Sequence, residues 1–409
     1  MEVVLTRCAG LDVHQANVVA TVRVPGEAGT RRVVTETFGT MTPDLLTLRE
    51  WLRAYGVTHV ALESTGVYWK PVYYVLEDSH TLLLINMRDL SHVPGRKTDV
   101  QDSEWLAQLL ECGLLRGSFV PPPPIRALRD LTRYRGQQVQ DRTQEVNRLC
   151  KVLEDAGVKL TSVVSDVMGV SGRAMVQALV AGTTDPAVLA DLARGRLRTK
   201  LADLRRALTG RFRPHHAFLI EQIVAKIDFL DETLERLTDE IDRQVRPFEA
   251  LLARLDTIPG VDRKGAISIL AETGGDMTRF PTAGHLVSWA ALCPGHHESA
   301  GKRQSGRTRK GNRYLRGMLA QCALAATRKR GSALQARYYR VKRHRGHKKA
   351  VIAVAHQILE IAYYLMRDGV SYQELGAAYF DRRHEERVVR RHQRQLEALG
   401  YRVTIEKAA

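Results

Sequence analysis

Four carboxylates occupy positions from which a metal site can be assembled. Asp12 lies in the apolar run GLDVH, Glu63 ends the apolar run ALES, and Asp99 and Asp102 are spaced i and i+3 in KTDVQD. That spacing puts the last two on one face of a helix. Asp99 alone is equally typical of a helix cap, but an unpaired carboxylate inside an apolar strand is costly. Oxygen ligands favour Mg²⁺ or Mn²⁺, and two such ions about 4 Å apart can polarise a phosphodiester.

A second candidate for chemistry is Ser299, in the segment GHHESAGKRQSGRTRKGNRYLR. A serine hydroxyl attacks only when the developing charge is stabilised. Lys302 and Arg303 follow at once and can neutralise a phosphate, while a metal or His296 and His297 can assist the proton. Serines without a catalytic role are far commoner, and Ser305 competes on the same grounds.

Basic residues are concentrated around and after this serine. The chain carries a formal net charge of +17, and between Glu298 and Glu360 it has no acidic residue but seventeen Lys or Arg. A solvated surface is the ordinary explanation of a charge run. The missing counter-charge favours phosphate binding instead. The candidate contacts are Lys302, Arg303, Arg307, Arg309, Lys310 and Arg313, and the run 338–349 has the same character.

Composition excludes several classes of protein. With 409 residues, 44% hydrophobic and 26% charged, the chain is long enough for two to four globular domains. Its five cysteines form no CxxC pair, which favours the reducing cytoplasm over a zinc finger or disulfide scaffold. We expect neither a secretory signal nor a membrane span, since His356, Gln357 and Glu360 interrupt the longest apolar stretch.

The elements that must position the carboxylates form an alternating pattern. Residues 8–24 and 32–38 predict three strands, 42–55 a helix capped by Thr42, and 58–64 a buried strand. A helix around Pro71, a strand over 81–87 and a helix over 98–112 follow. This order is typical of an α/β ribonuclease-H-like sheet. The first and fourth strands are adjacent there and a later helix crosses their ends, so the four carboxylates can converge.

The remainder predicts helices and four regions in all. Pro121–Pro124 is a stiff break, 125–157 a long helix, and 216–255 a coiled-coil hairpin arm. The turn IPGVD (258–262) suits either a phosphate-binding helix-hairpin-helix or a simple helix–helix turn, and Asp262 replaces the usual glycine. Helices are expected over 311–330 and 350–367. We therefore divide the chain into an acidic domain (1–120), a helical linker and arm (121–254), a mostly helical domain (255–370) and a charged helical tail (371–409).

In their order, the segments GLDVH, ALESTGVYW, KTDVQDSEWLAQLL, IPGV and ESAGKRQSGRTRKGNRYLR resemble transposases of the insertion sequence 110 family. The resemblance covers about residues 8–330. It implies a RuvC-like domain whose DEDD set is Asp12, Glu63, Asp99 and Asp102, and a C-terminal transposase domain with the nucleophile Ser299. It also implies Mg²⁺ dependence, DNA as substrate, a bridge RNA that pairs with donor and target DNA, a tetramer, and a covalent serine–DNA intermediate.

Two other functions suit the same residues. A hydrolytic nuclease of the RuvC resolvase type would use metal-activated water and leave Ser299 dispensable. A non-catalytic nucleic-acid scaffold would keep every activity without Mg²⁺. No P-loop is present, as expected if strand exchange conserves bond energy in a protein–DNA ester.

Overall fold

The chain divides at Val120 into two units, Met1–Val120 and Pro121–Ala409. The computed structural model describes residues 3–64, 66–86, 99–295, 297–299, 302–305, 307–309 and 311–405. The side chains of Asp99, Ser299, Arg303 and Ser305 lie outside this description, as do Lys310 and His296 altogether.

The first unit is built on a five-stranded mixed sheet. Its strands are β1 (Cys8–Val13), β2 (Asn17–Pro25), β3 (Arg31–Gly39), β4 (His59–Glu63) and β5 (Thr81–Ile85), in the order β3-β2-β1-β4-β5. Neighbours within β1–β3 run antiparallel, whereas β1 with β4 and β4 with β5 run parallel. The predicted strands are thereby confirmed, and so is the adjacency of the first and fourth strands.

Helices cover both faces of this sheet because its central strands are apolar on both sides. Helices α1 (Thr42–Ala54) and α2 (Trp69–Leu76) pack on the face that carries Leu11, Val13 and Leu62. Helix α3 (Asp99–Glu111) covers the opposite face, beside Cys8 and Ala61. One prediction is corrected: Thr42 is the first helical residue, and the cap position belongs to Met41, which makes no side-chain capping bond.

Two long helices dominate the second unit, α4 (Pro123–Asp155) and α8 (Pro214–Gln244). They run antiparallel, since Arg135 bonds to Thr238 while Asp155 bonds to His216. The hairpin predicted within 216–255 is therefore wrong. That stretch holds one helix to Gln244, and α4 supplies its partner. Pro247 separates it from α9 (Glu249–Asp256).

Short helices connect α4 to α8 at the end where the chain turns back. They are α5 (Val170–Val180), α6 (Pro186–Asp191) and α7 (Leu201–Leu208). Their buried residues share a core with the end of α4 and the start of α8, including Leu153, Met175, Leu189, Leu204 and Ile220.

The rest of the second unit is helical apart from one small hairpin. Its elements are α10 (Arg263–Thr273), α11 (Ala283–Trp289), β6 (His297–Ser299), β7 (Lys302–Ser305), α12 (Arg313–Ala326), α13 (Ala333–Arg345), α14 (His347–Asp368) and α15 (Tyr379–Ala398). Within the described residues, α14 alone has the length and composition to cross a membrane. Half of its apolar window is buried, and Val354, Ile358 and Ala362 are fully so.

Candidate functional site

Asp12 and Glu63 lie side by side at the carboxyl ends of two parallel strands. Leu11 pairs with Leu62, so the next residues along β1 and β4 are Asp12 and Glu63. Register partners in parallel strands share a face of the sheet. Asp12 is only 4% exposed and Glu63 is half-buried. Two acidic side chains therefore meet at one edge, on the face that α3 covers.

The first turn of α3 reaches this edge because α3 runs antiparallel to β1. The Cys8 thiol contacts the Ala107 carbonyl at 3.5 Å, and Ser103 crosses β1 at Gly10. From Gly10 to Asp12 the strand advances about 6.6 Å. From Ser103 back to Asp99 the helix advances about 6 Å. The start of α3, which carries Asp99 and the half-buried Asp102, is thus level with Asp12.

Gly10 makes the close approach of α3 possible. A Cβ at this position would lie 2.2 Å from the Ser103 carbonyl oxygen and 2.4 Å from the Ala107 nitrogen. A buried hydroxyl pair, Thr21 with Ser103 at 2.7 Å, holds the same crossing point. The absence of a side chain at residue 10 therefore sets the distance between helix and strands.

One polar neighbour of this acidic site was missed in the sequence. The His14 Nε2 atom lies 3.2 Å from an Asp12 carboxylate oxygen. Its position two residues after Asp12 in GLDVH was the available signal, but a lone histidine outside a strand carries little weight by itself.

Ser299 belongs to the second unit and stands at the end of β6. It pairs with Lys302 of β7 across the turn, and His297 pairs with Ser305. Both candidate serines thus lie on one two-stranded hairpin, residues 297–305, which we call the serine hairpin. Strands of three and four residues were not predicted here.

The base of the serine hairpin is closely built. The Gly295 N–H donates to the Arg307 carbonyl at 2.8 Å, and Pro294 bridges to Thr308. Ala291 just before it has φ of 55°, in the left-handed region that non-glycine residues seldom adopt. Such a conformation persists only where its surroundings fix it, and it is enriched at functional sites.

The basic candidates around the hairpin have differing surroundings. Lys302, Arg307 and Arg313 are exposed, and the exposed Arg309 donates to the Ser288 hydroxyl at 2.9 Å. The Arg313 guanidinium lies 4.8 Å from the centre of the Tyr314 ring, and Arg133 of α4 lies 4.5 Å from it. This part of the surface is cationic and includes one aromatic ring, as nucleic-acid contacts require.

A second cationic surface lies where α13 meets α14. All eight residues from 342 to 349 are exposed, and five of them are Lys or Arg. Within the described chain, no acidic side chain pairs with them. We call this surface the basic corner; its cations are Lys342, Arg343, Arg345, Lys348 and Lys349.

Two other sequence features have structural roles. The IPGVD turn is buried at Ile258 and Val261, and the Asp262 carboxylate caps α10 by accepting from the Gly265 N–H at 2.8 Å. An anionic cap disfavours phosphate at that helix end. This geometry favours the simple helix–helix turn.

A group of metal-type ligands outside the acidic site is also accounted for by capping. The ligand atoms of Asp155, His215 and His216 lie within 4.8 Å of one another. However, His216 Nδ1 accepts from the Arg213 N–H at 3.1 Å, so its Nε2 carries the proton and donates to Asp155. The histidine thus closes the start of α8 against the end of α4.

An α/β unit with adjacent carboxylates, followed by a basic helical unit, is the arrangement of an enzyme that acts on nucleic acid. Two family models match the chain: a DEDD transposase of the IS110 type over residues 9–157, and the transposase IS116/IS110/IS902 family over residues 252–339. The chain belongs to the IS110 family of transposases.

Relatives agree with this assignment. The chain is 35% identical over 123 residues to an uncharacterized 43.6 kDa protein of insertion element IS110 from Streptomyces coelicolor, covering 29% of each chain. It is 31% identical over 159 residues to an IS900 protein of Mycobacterium paratuberculosis, covering 38% of each. It is 33% identical over 116 residues to a pilin gene-inverting protein of Moraxella bovis, covering 28% of this chain and 36% of the relative. The matched segments thus span under two-fifths of these relatives' length.

Proposed function

We propose that the protein is a DNA transposase that cuts and rejoins strands through Ser299, assisted by a metal-bound acidic site. The observation that carries this proposal is the acidic edge, where Asp12 and Glu63 are register neighbours and α3 brings Asp102 and Asp99 to the same level. Family membership supports DNA as the substrate, and the name of the Moraxella relative describes a DNA inversion.

The acidic residues are suited to hold divalent cations. Like charges crowded at one edge repel, and one of them, Asp12, is almost fully buried. Carboxylate oxygens are hard ligands, which match Mg²⁺ or Mn²⁺. Asp12, Glu63, Asp99 and Asp102 would bind the ions, and His14 would orient the Asp12 carboxylate through its hydrogen bond. When bound, the ions would stabilise the attacking and leaving oxygens. This makes the first unit a RuvC-like domain.

The serine step is a phosphoryl transfer that conserves bond energy. The Ser299 oxygen forms a bond to phosphorus as the bond from phosphorus to a deoxyribose oxygen breaks. The serine proton passes to a base or solvent, and the departing oxygen takes up a proton. A hydroxyl of a second DNA strand then displaces the serine, so the enzyme is regenerated. Lys302, Arg303, Arg307, Arg309, Lys310 and Arg313 neutralise phosphates during these steps.

The other parts of the proposal follow from family resemblance. A bridge RNA selects the target, four copies assemble so that acidic and serine sites of different copies meet, and the enzyme works in the cytoplasm. The paired helices α4 and α8 supply the coiled coil expected of that assembly.

A denaturation-resistant protein–DNA adduct tests the proposal. The full chain is incubated with Mg²⁺, DNA spanning the flanks of the gene, and the transcript of those flanks. We expect an adduct and recombinant DNA with the wild type, neither with Ser299→Ala, and both with Ser305→Ala as the matched control on the same hairpin. Asp12→Ala should lose both products yet remain folded.

Other outcomes contradict parts of the proposal. An adduct lost in Ser305→Ala but kept in Ser299→Ala moves the nucleophile to Ser305. Cleaved ends without any adduct indicate the hydrolytic nuclease. Activity that is unchanged without Mg²⁺ refutes the metal site.

A further inference from the structure

A buried carboxylate lies beneath the serine hairpin and has no part in the chemistry proposed above. Glu272 of α10 is only 2% exposed. Both its oxygens accept hydrogen bonds from Arg133 of α4, at 2.8 and 2.7 Å. Arg129, one turn earlier, donates to the backbone carbonyls of Ala271 and Glu272. Because a buried charge must be paired, this network fixes Glu272 in a single position.

A third donor to Glu272 comes from the end of the serine segment. The Asn312 amide donates to the Glu272 carboxylate at 2.6 Å. The Asn312 carbonyl oxygen accepts from the N–H groups of Tyr314 and Leu315, each at 3.1 Å, and so caps α12. These partners determine the orientation of the Asn312 amide, since its nitrogen must face the carboxylate and its oxygen the two donors.

The residue before Asn312 is in close contact with the other side of the hairpin base. A Cβ added at Gly311 would lie 2.5 Å from the Ala291 Cβ and 3.1 Å from the Trp289 carbonyl oxygen. Ala291 is the residue held in the left-handed conformation. Glu272, Asn312, Gly311 and Ala291 therefore form a continuous contact from the core of the unit to both ends of the loop that carries Ser299.

We propose that Glu272 is a positioning residue: through Asn312 it fixes the point where the serine hairpin returns to the core, and thereby the place of Ser299 during strand transfer. This inference rests on the proposed function. A misplacement of about 1 Å in a reacting group can cost about 10²-fold in rate. The fixed base thus contributes to the reaction without contacting DNA.

Another buried carboxylate in the same unit provides a matched control. Glu145 of α4 is 3% exposed and pairs with Arg148 and Lys226, far along the chain from the serine hairpin. Glu145→Gln and Glu272→Gln make the same chemical change at the same burial. Asn312→Ser is the second test variant, because serine keeps a good cap for α12 but lacks the amide that reaches Glu272.

The experiment measures three quantities in the full chain: the rate of adduct formation at saturating DNA, the dissociation constant for that DNA, and backbone hydrogen exchange over residues 291–316. We expect Glu272→Gln and Asn312→Ser to slow the adduct by about 10²-fold, with DNA affinity within twofold of wild type and faster exchange at Gly295 and Leu315. Glu145→Gln should lose thermal stability but keep the rate and the exchange pattern.

Two results overturn the inference. One is an adduct rate in Glu272→Gln that falls no further than in Glu145→Gln at equal loss of stability. The other is unchanged exchange over 291–316 in both test variants. If the wild type itself forms no adduct, the proposed function fails, and the exchange measurement alone decides whether Glu272 fixes the hairpin.

Discussion

Replacing Gly10 with alanine should separate the two halves of the acidic site. The new Cβ would lie 2.2 Å from the Ser103 carbonyl oxygen, whereas ordinary contacts begin at 3.4 Å. The obstructing atoms are backbone, so α3 must retreat by about 1 Å. Overpacking of this kind costs about 1–3 kcal/mol. Because Asp99 and Asp102 move with α3, recombination should fall by about 10²-fold.

Thermal unfolding and recombination assays on the same preparation test this prediction. At about 4 °C per kcal/mol for a unit of this size, the first unit should melt roughly 4–12 °C lower. Gly117→Ala is the matched control, because its Cβ would meet Leu83 at an ordinary 3.5 Å. Wild-type activity in Gly10→Ala, together with a melting temperature equal to that of Gly117→Ala, would refute the placement of α3 against β1.

Three further predictions concern charge and ionisation. Changing Lys342, Arg343, Lys348 and Lys349 to alanine should reduce the salt dependence of DNA binding by about 0.9 per lost phosphate contact; an unchanged slope in a salt titration would leave the basic corner a solvated surface. Burial lowers the pKa of His80 below its ordinary value, so below pH about 6.5 the unfolded chain binds a proton that the folded unit does not. Urea unfolding should therefore show stability falling as the pH drops below that value, and His80→Asn should reduce the fall. Burial raises the pKa of both Cys8 and Cys322 to about 12, so mass spectrometry should find these thiols unalkylated at pH 8 until the protein unfolds.

The acidic edge could be anticipated from the sequence because it depends on strand order. Once the strand and helix patterns were assigned, the adjacency of β1 and β4 followed, and with it the proximity of Asp12 and Glu63. The place of α3 followed from the same order. Its distance from β1 did not, because that depends on Gly10 meeting Ser103, residues far apart in the chain.

The surroundings of Ser299 were not predictable in the same way. Strands as short as β6 and β7 show no alternation of apolar and polar residues. The bond from Arg133 to Glu272 joins residues 139 apart in the chain, and Asn312 reaches the same carboxylate from 40 residues beyond it. Likewise, the apolar stripe of α8 predicted a helical partner without revealing that it is α4.

Helix α4 mechanically links the two ends of the second unit. It has 33 residues, which corresponds to about 50 Å. Near its start, Arg129 and Arg133 hold Glu272; near its end, Leu149 and Leu153 lie in the core shared with α5, α6 and α7. A tilt of about 5° at the arginines carries the far end by about 4 Å, if the helix stays straight. Any partner that grips the α5–α7 cluster therefore also exerts torque on the anchor of the serine hairpin.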